Sequence, residues 1–345
     1  MKTAIVLFNL GGPDRRGAVQ PFLFNLFYDP AIIGLPNPLR WLIASWISSR
    51  RAPVAREIYG KIGGRSPLLP NTEAQAAALE AALGPEFKCF ICMRYWHPRA
   101  DVQVEAVKAW QPDRVLLLPL YPQFSSTTTA SSVKEWRQAA AKAGLTAPET
   151  ELCCYPDEPG FVAAVIERIE AGLAQLPDAA PRLLFSAHGL PQKVVDAGDP
   201  YQVQVERSVA AVVAALGRPD LDHVICYQSR VGPMKWLRPS TDDEIRRAGQ
   251  DGVVLLVVPI AFVSEHSETL VELDIEYRHL AEEQGVPAYI RVPTVDALPA
   301  FIDGLAAEVR RTLERPARLG SAGGGRICPA GATLCACSGR LESGV

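Results

Sequence analysis

With 345 residues, 48% apolar side chains and a mean hydropathy of +0.06, the chain can bury one large core or two moderate ones, and its length favours two lobes. A net charge of −3 and a pI near 6.0, with Lys and Arg scattered, provide no basic field for nucleic-acid backbones, so nucleic acid is excluded as a partner. No apolar run reaches the roughly 18 residues of a membrane span; the longest is Val253–Val263.

The N-terminus, MKTAIVLFNLGGP, has one lysine, an apolar run interrupted by Asn9 and no small-residue cleavage site. It reads as a first strand over 3–8, not as a signal peptide. Eight cysteines without a secretory signal point to a reducing compartment and a cytoplasmic protein. Asn9-Leu10-Gly11-Gly12-Pro13 makes a tight turn. Residues 21–47 are apolar all round but broken by Pro30, Pro36 and Pro38, which suits a hydrophobic lip over a large apolar ligand, or a patch resting on a membrane surface, better than a core helix. After a second glycine turn at 62–68, Asn71 or Thr72 is expected to cap an Ala-rich helix through Leu83.

A strand over 88–93 leads into Arg94-Tyr95-Trp96-His97-Pro98, a helix over about 100–110 follows, and a strand over 114–118 runs into the hydroxyl cluster Ser125–Thr129. Those hydroxyls could cap a helix at 131–143 or grip an anion. A strand at 150–155 and a helix at 160–175 complete the first lobe, 1–177. The second, 178–315, has strands at 182–187, 223–228, 253–258 and 288–292 and a closing helix at 296–314. RVLLLPLYPQFSSTTT and VVLLVVPIAFVSEHSET echo each other as one duplicated unit. The predicted fold is therefore α/β, with two similar Rossmann-like lobes, each a mainly parallel four-stranded sheet flanked by helices, and the site in the cleft between them. The tail, 316–345, is Gly/Ser-rich and would read as disordered without its cysteines. Cys89, Cys92 and Cys226 sit in apolar runs and read as buried small hydrophobes.

Two features carry chemistry. His188 ends the strand of Phe185-Ser186-Ala187-His188, aimed at the crevice where open α/β sheets build sites. After the strand at 253–258, Glu265, Glu268, Glu272 and Glu276 fall within roughly 60° of one helical direction, a stripe able to carry protons or hard cations, with His266 pointing elsewhere. A histidine facing a carboxylate file suits metal-assisted hydrolysis, or removal of protons from nitrogen while a metal is delivered.

In LFNLGGP, YGKIGGRSPL, MRYWHP, LPLYPQFSSTTTASS, FSAHGLP, CYQSRVGPMKWLRPST and PIAFVSEHSETLVELDIEY, the chain resembles the ferrochelatases over residues 3 to about 314. The resemblance implies insertion of ferrous iron into protoporphyrin IX with release of two protons. It implies His188 and Glu268 as the catalytic pair, Glu272 and Glu276 continuing a metal and proton path, Arg94 and Tyr95 on the opposite wall, and Trp236 near the ring. Lys61, Arg65 or the Ser125–Thr129 hydroxyls would meet the propionates, and the lip would cover the ring faces or touch a membrane peripherally. A homodimer is a further expectation. Cys328-x6-Cys335-x-Cys337 with Cys153 or Cys154 would complete a 2Fe-2S cluster, such as some ferrochelatases carry on a C-terminal extension; zinc is the alternative. Competing readings are a cobalt or nickel chelatase, a coproporphyrin ferrochelatase, and a non-catalytic heme- or metal-binding module.

Overall fold

The computed structural model describes residues 1–176, 180–230 and 232–339. The expected lobe boundary at 177/178 lies outside the described residues. The first sheet grows from β1 (Thr3–Asn9), which is buried at every position, as a parallel strand covered on both faces must be. The chain then runs α1 (Val19–Tyr28), α2 (Leu39–Gly60), α3 (Leu68–Leu83), β2 (Phe87–Met93), α4 (Ala100–Trp110), β3 (Arg114–Pro119), α5 (Thr129–Ala143), β4 (Glu149–Leu152) and α6 (Pro159–Leu173). The second half runs β5 (Arg182–His188), α7 (Gln192–Asp196), α8 (Tyr201–Leu216), β6 (His223–Gln228), α9 (Thr241–Asp251) and β7 (Leu255–Pro259). A π-helix (Glu268–Glu276), α10 (Tyr277–Glu283), β8 (Tyr289–Arg291), α11 (Pro299–Glu314) and β9 (Leu319–Gly320) complete it.

Among the described residues all strand pairs are parallel, in the orders β2-β1-β3-β4-β9 and β6-β5-β7-β8. The first sheet thus has five strands, not four, because the tail supplies β9 beside β4, with Glu151 opposite Leu319 and Leu152 opposite Gly320. One apolar cluster, including Ile5 and Leu118 of the first sheet and Phe185 and Val258 of the second, is continuous through both halves. The two halves share a core, because α6 packs between α11 and α8.

Two local expectations are corrected. The lip is helical on both flanks, since Pro30, Pro36 and Pro38 fall in the stretch between α1 and α2. α1 buries Val19, Phe22 and Leu23, while Ile32, Leu35, Leu39, Trp41, Leu42 and Trp46 stay exposed. α3 starts at Leu68, ahead of the predicted cap: Thr72 lies inside the helix, donating to Leu68 O at 2.7 Å and accepting from Asn9 Nδ2 at 3.0 Å. Pro70 does not break it, because a first-turn residue needs no helical N–H partner. Among the described residues no helix is long and apolar enough to cross a membrane.

Candidate active site

β5 lies between β6 and β7, in register so that His188 at its carboxyl end stands opposite Gln228 at the end of β6. β7 ends at Pro259 and its chain returns as the π-helix, which carries Glu268 to the same edge. The wider turn has identifiable supports, because side chains take its backbone carbonyls. Gln228 Nε2 donates to Glu268 O at 3.4 Å, Tyr289 Oη to Leu273 O at 2.7 Å, and Arg278 Nε to Asp274 O at 3.1 Å.

His188 Nδ1 lies 2.7 Å from Glu268 Oε2, with the imidazole 43% exposed and the carboxylate 26%. Because an ionised carboxylate only accepts, Nδ1 carries the hydrogen and Nε2 is left for the cleft. Burial disfavours the imidazolium, but the charge and hydrogen bond of Glu268, with Glu272 behind, outweigh it and hold His188 protonated above the ordinary histidine range. Burial likewise opposes ionisation of Glu268; His188 and then His266 reverse that and keep it well below the usual carboxylate range. His266 Nε2 lies 3.8 Å from Glu268 Oε2, a supporting neighbour at longer range.

Glu272 is the next carboxylate along the π-helix. Ser229 N donates to its Oε1 at 2.8 Å and Tyr277 Oη to the same atom at 3.1 Å; Gln228 Nε2 donates to Oε2 at 3.0 Å, as does the Ser229 hydroxyl. Burial, with the neighbouring Glu268 charge, lifts Glu272 above the usual range despite the Ser229 donors. Ser229 Oγ also reaches Glu268 Oε2 at 3.3 Å, so one hydroxyl joins the two carboxylates. To do this Ser229 takes φ +62°, a left-handed conformation that non-glycine residues rarely hold without a local purpose. Gln228, Ser229 and Tyr277 are absent from the sequence expectations. Their signal was the position of Gln228-Ser229 at a strand's carboxyl end, the same signal that marks His188.

Trp236, expected near the ring, stands beside Glu272. With Arg230, Gly232, Met234, Asp242, Glu272 and Tyr277 it lines a recess of about 260 Å³ beside Glu272. Gly189 makes this approach feasible, since a Cβ there would fall 2.5 Å from Gln228 O and 3.5 Å from the Trp236 ring.

Other expected site residues are engaged elsewhere. Glu265 leaves the carboxylate file: its Oε1 accepts from Arg291 Nη1 at 2.5 Å and from Thr294 N at 3.0 Å. Glu276, at the outer end, pairs with Lys61 Nζ at 3.6 Å across a half-exposed gap, so Lys61 meets a carboxylate of its own chain. Arg94 donates to Asp29 Oδ2 and Ser131 Oγ, both at 2.8 Å, and pairs with Glu135 at 3.0 Å; Tyr95 Oη donates to the same Asp29 oxygen at 2.8 Å. This buried knot fixes the end of α1, and with it the start of the lip. The hydroxyl cluster does grip an anion, but it is Asp199: Ser125 Oγ, Ser126 N and Ser126 Oγ lie 3.0, 2.7 and 2.6 Å from Asp199 Oδ2. Ser125 is 1% exposed and so corrected from substrate contact to a tie between the halves. The hydroxyls do not cap α5, whose N-cap Thr128 makes no side-chain cap bond.

The set His188, Glu268, Glu272 and Glu276 does not close around one point, and among the described residues no three His, Cys, Asp or Glu side chains stand at metal-holding spacing. The three carboxylates instead follow one another along the π-helix: Glu268 is tied to His188 of β5, Glu272 is joined to it through Ser229, and Glu276 pairs with Lys61 at the outer end. The tail thiols nevertheless come to the body. Cys153 Sγ lies 3.5 Å from Cys154 Sγ and 3.7 Å from Cys337 Sγ, and Gln204 Nε2 lies 3.5 Å from Cys154 Sγ and 3.1 Å from Cys328 Sγ.

A family model described as Ferrochelatase matches residues 2–313. The chain belongs to the ferrochelatase family. It is 54% identical over 343 residues to a ferrochelatase of Caulobacter vibrioides (strain NA1000 / CB15N), covering 97% of both chains. It is 54% identical to one of Phenylobacterium zucineum, covering 98% of both, and 48% identical to one of Rickettsia bellii (strain OSU 85-389), covering 97% of this chain and 95% of that one. Among solved structures, SirB from Bacillus subtilis with Fe3+ superposes with a TM-score of 0.55 at 14% identity, over 91% of this chain and 97% of that one. That likeness is one of fold. The ferrochelatase match covers β1 through nearly all of α11 and stops before β9 and the tail cysteines.

Proposed function

We propose that this ferrochelatase-family protein inserts ferrous iron into protoporphyrin IX, releasing the two pyrrole protons and leaving protoheme. The observation that carries the reading is His188 Nδ1 on Glu268 Oε2 at 2.7 Å at the carboxyl edge of the second sheet, with Glu272 next in line. Pyrrole N–H groups are weak acids, so metal entry needs a positioned acceptor and a route by which the proton leaves. His188 Nε2, once neutral, takes a pyrrole proton; Glu268 stabilises the resulting imidazolium. Glu272, raised toward protonation and joined to Glu268 through Ser229, passes protons onward and Glu276 lies furthest out. Ferrous iron is substrate here, and the same carboxylates replace its lost hydration.

The exposed side chains Ile32, Leu35, Leu39, Trp41, Leu42 and Trp46 support a large apolar ligand with few carboxylates, because so broad an apolar patch otherwise faces water. The test is anaerobic iron insertion by the purified protein, followed by the porphyrin absorbance change. Faster turnover on protoporphyrin than on coproporphyrin is expected. The reverse order would assign the enzyme to coproporphyrin, and stoichiometric binding without turnover would make it a carrier.

The donor chemistry at the tail, rather than a preformed ligand geometry, suits a 2Fe-2S cluster. The donors are soft thiols drawn from just beyond β4 and from the tail, all buried except the half-buried Cys337. A hydrogen bond from Cys153 eases ionisation of Cys154, but burial and the nearby Cys328, Cys335 and Cys337 thiols outweigh it, so Cys154 holds its proton above the ordinary thiol range. Four thiolates so close repel unless cationic iron sits among them. Cys154 is the better internal ligand, because it is within electrostatic range of all three tail thiols and shares the Gln204 amide with Cys328, whereas of the tail thiols Cys153 approaches Cys337 alone. Bound there, the cluster would supply a crosslink between tail and body. Anaerobically purified protein is expected to be red-brown with iron and sulfide, and Cys335→Ser to lose the visible band; a colourless parent protein removes the cluster, and bound zinc without sulfide replaces it.

A further inference from the structure

Gln204 sits on α8 at 1% exposure. A glutamine is seldom so deeply buried unless its amide is used on both sides. Its Oε1 accepts from the backbone N–H of Phe124 at 2.7 Å. That bond settles which end of the amide is oxygen, and so turns the two Nε2 hydrogens toward sulfur: Cys328 Sγ at 3.1 Å and Cys154 Sγ at 3.5 Å. The two sulfurs reach it from different directions, Cys154 from just beyond β4 and Cys328 from the tail. Arg207 follows three residues later, the spacing of neighbours on one helix face. Its guanidinium is held by Asp157 at 2.7 Å, and its charge lies within range of the same two thiols.

We propose that Gln204 is a positioning and tuning residue for the iron–sulfur centre, its amide hydrogens bridging the Cys154 and Cys328 sulfurs and raising the centre's reduction potential. The proposal rests on the cluster reading above and extends it. An N–H pointed at a thiolate withdraws electron density from sulfur, and this favours the reduced, more negative form of a cluster. The same two bonds hold a body ligand and a tail ligand at a set separation before iron arrives. Because the amide oxygen is tied to Phe124, in the loop before Ser125 and Ser126, the bridge is stiff.

The test uses the full chain purified anaerobically, with visible spectrum, iron and sulfide content, and a dithionite titration of the midpoint potential. Two variants separate the two ends of the amide. Gln204→Glu keeps an acceptor for Phe124 N but presents no amide hydrogens to sulfur; Gln204→Leu removes both. Both variants are expected to have a midpoint shifted to more negative potential and a visible band lost in air on the order of tenfold faster than the parent, the scale on which second-sphere partners act. A purely structural role would change the melting temperature of Gln204→Leu and leave its potential unmoved, which would overturn the proposal; Gln204→Glu also brings the charge of a carboxylate, so the neutral variant decides. A colourless parent protein overturns the cluster reading itself, a failure distinguishable from that of Gln204 alone.

Discussion

His188→Ala is expected to insert iron into protoporphyrin about 10²- to 10⁴-fold more slowly than the parent, the range general acid–base groups contribute. The imidazole is the group at the end of β5 with a ring nitrogen left free, and alanine leaves Glu268 with no cationic partner at 2.7 Å. Porphyrin binding should survive, because the exposed apolar side chains of the lip are untouched. The pH profile gives an independent reading. A proton acceptor must be neutral, so activity rises with pH through the His188 pKa. Burial pulls that pKa down, but Glu268 and Glu272 together raise it, so the acidic limb lies above the ordinary histidine value of about 6.5. Glu268→Gln removes the carboxylate that raises His188 most, so its limb moves to lower pH while the rate falls. An unchanged rate in His188→Ala, or a limb that moves upward in Glu268→Gln, sinks the assignment.

Arg291→Met is expected to destabilise the fold by about 3–5 kcal/mol, the cost of removing one partner from a buried ion pair. The Arg291 side chain is 6% exposed and clamps the π-helix from both ends, donating to Glu265 Oε1 ahead of it at 2.5 Å and to Asp274 Oδ1 within it at 2.9 Å. Methionine fills similar volume but leaves two carboxylates facing each other's side of the clamp. Acid sensitivity follows with a definite sign. Burial raises Glu265, but Arg291 and the Thr269 and Thr294 bonds lower it below the usual range. A depressed folded pKa adds stability that is present above the unfolded value of about 4.3 and is lost as pH falls through the folded value. In the variant that pKa rises, so acid unfolding moves to higher pH. Urea denaturation across pH measures both effects; a loss below about 1 kcal/mol would mean a clamp no stronger than a surface pair. Because Glu268 rides on the same helix, insertion activity should fall alongside stability.

Much of this site was legible along the chain. A parallel strand covered on both faces must be a near-continuous apolar run, so Arg182–His188, His223–Gln228 and Leu255–Pro259 announced themselves, and their carboxyl ends marked where His188 and Glu268 would meet. The motif set carried the family just as directly. Partners remote in sequence were not legible. Ser125 and Ser126 read equally as a cap or an anion grip, because Asp199, which occupies them, lies more than seventy residues away. The resemblance implied Arg94 and Tyr95 on the wall opposite His188, and nothing near them in the chain showed that Asp29 takes their polar groups. A stripe drawn at the α-helical period admitted Glu265, which the Arg291 clamp and the π-turn remove.

The tail divides the same way. Its composition argued for disorder and its cysteines against it; the short β9 added to the edge of the first sheet, and the sulfurs gathered at Gln204, decide the matter. The sequence by itself determined the strands, the strand-end histidine and the family, because burial periodicity and local motifs are properties of neighbours in the chain. Only the tertiary structure decided the π-helix, the occupants of the polar clusters and the path of the tail, because hydrogen bonds and ion pairs depend on groups that folding alone brings together.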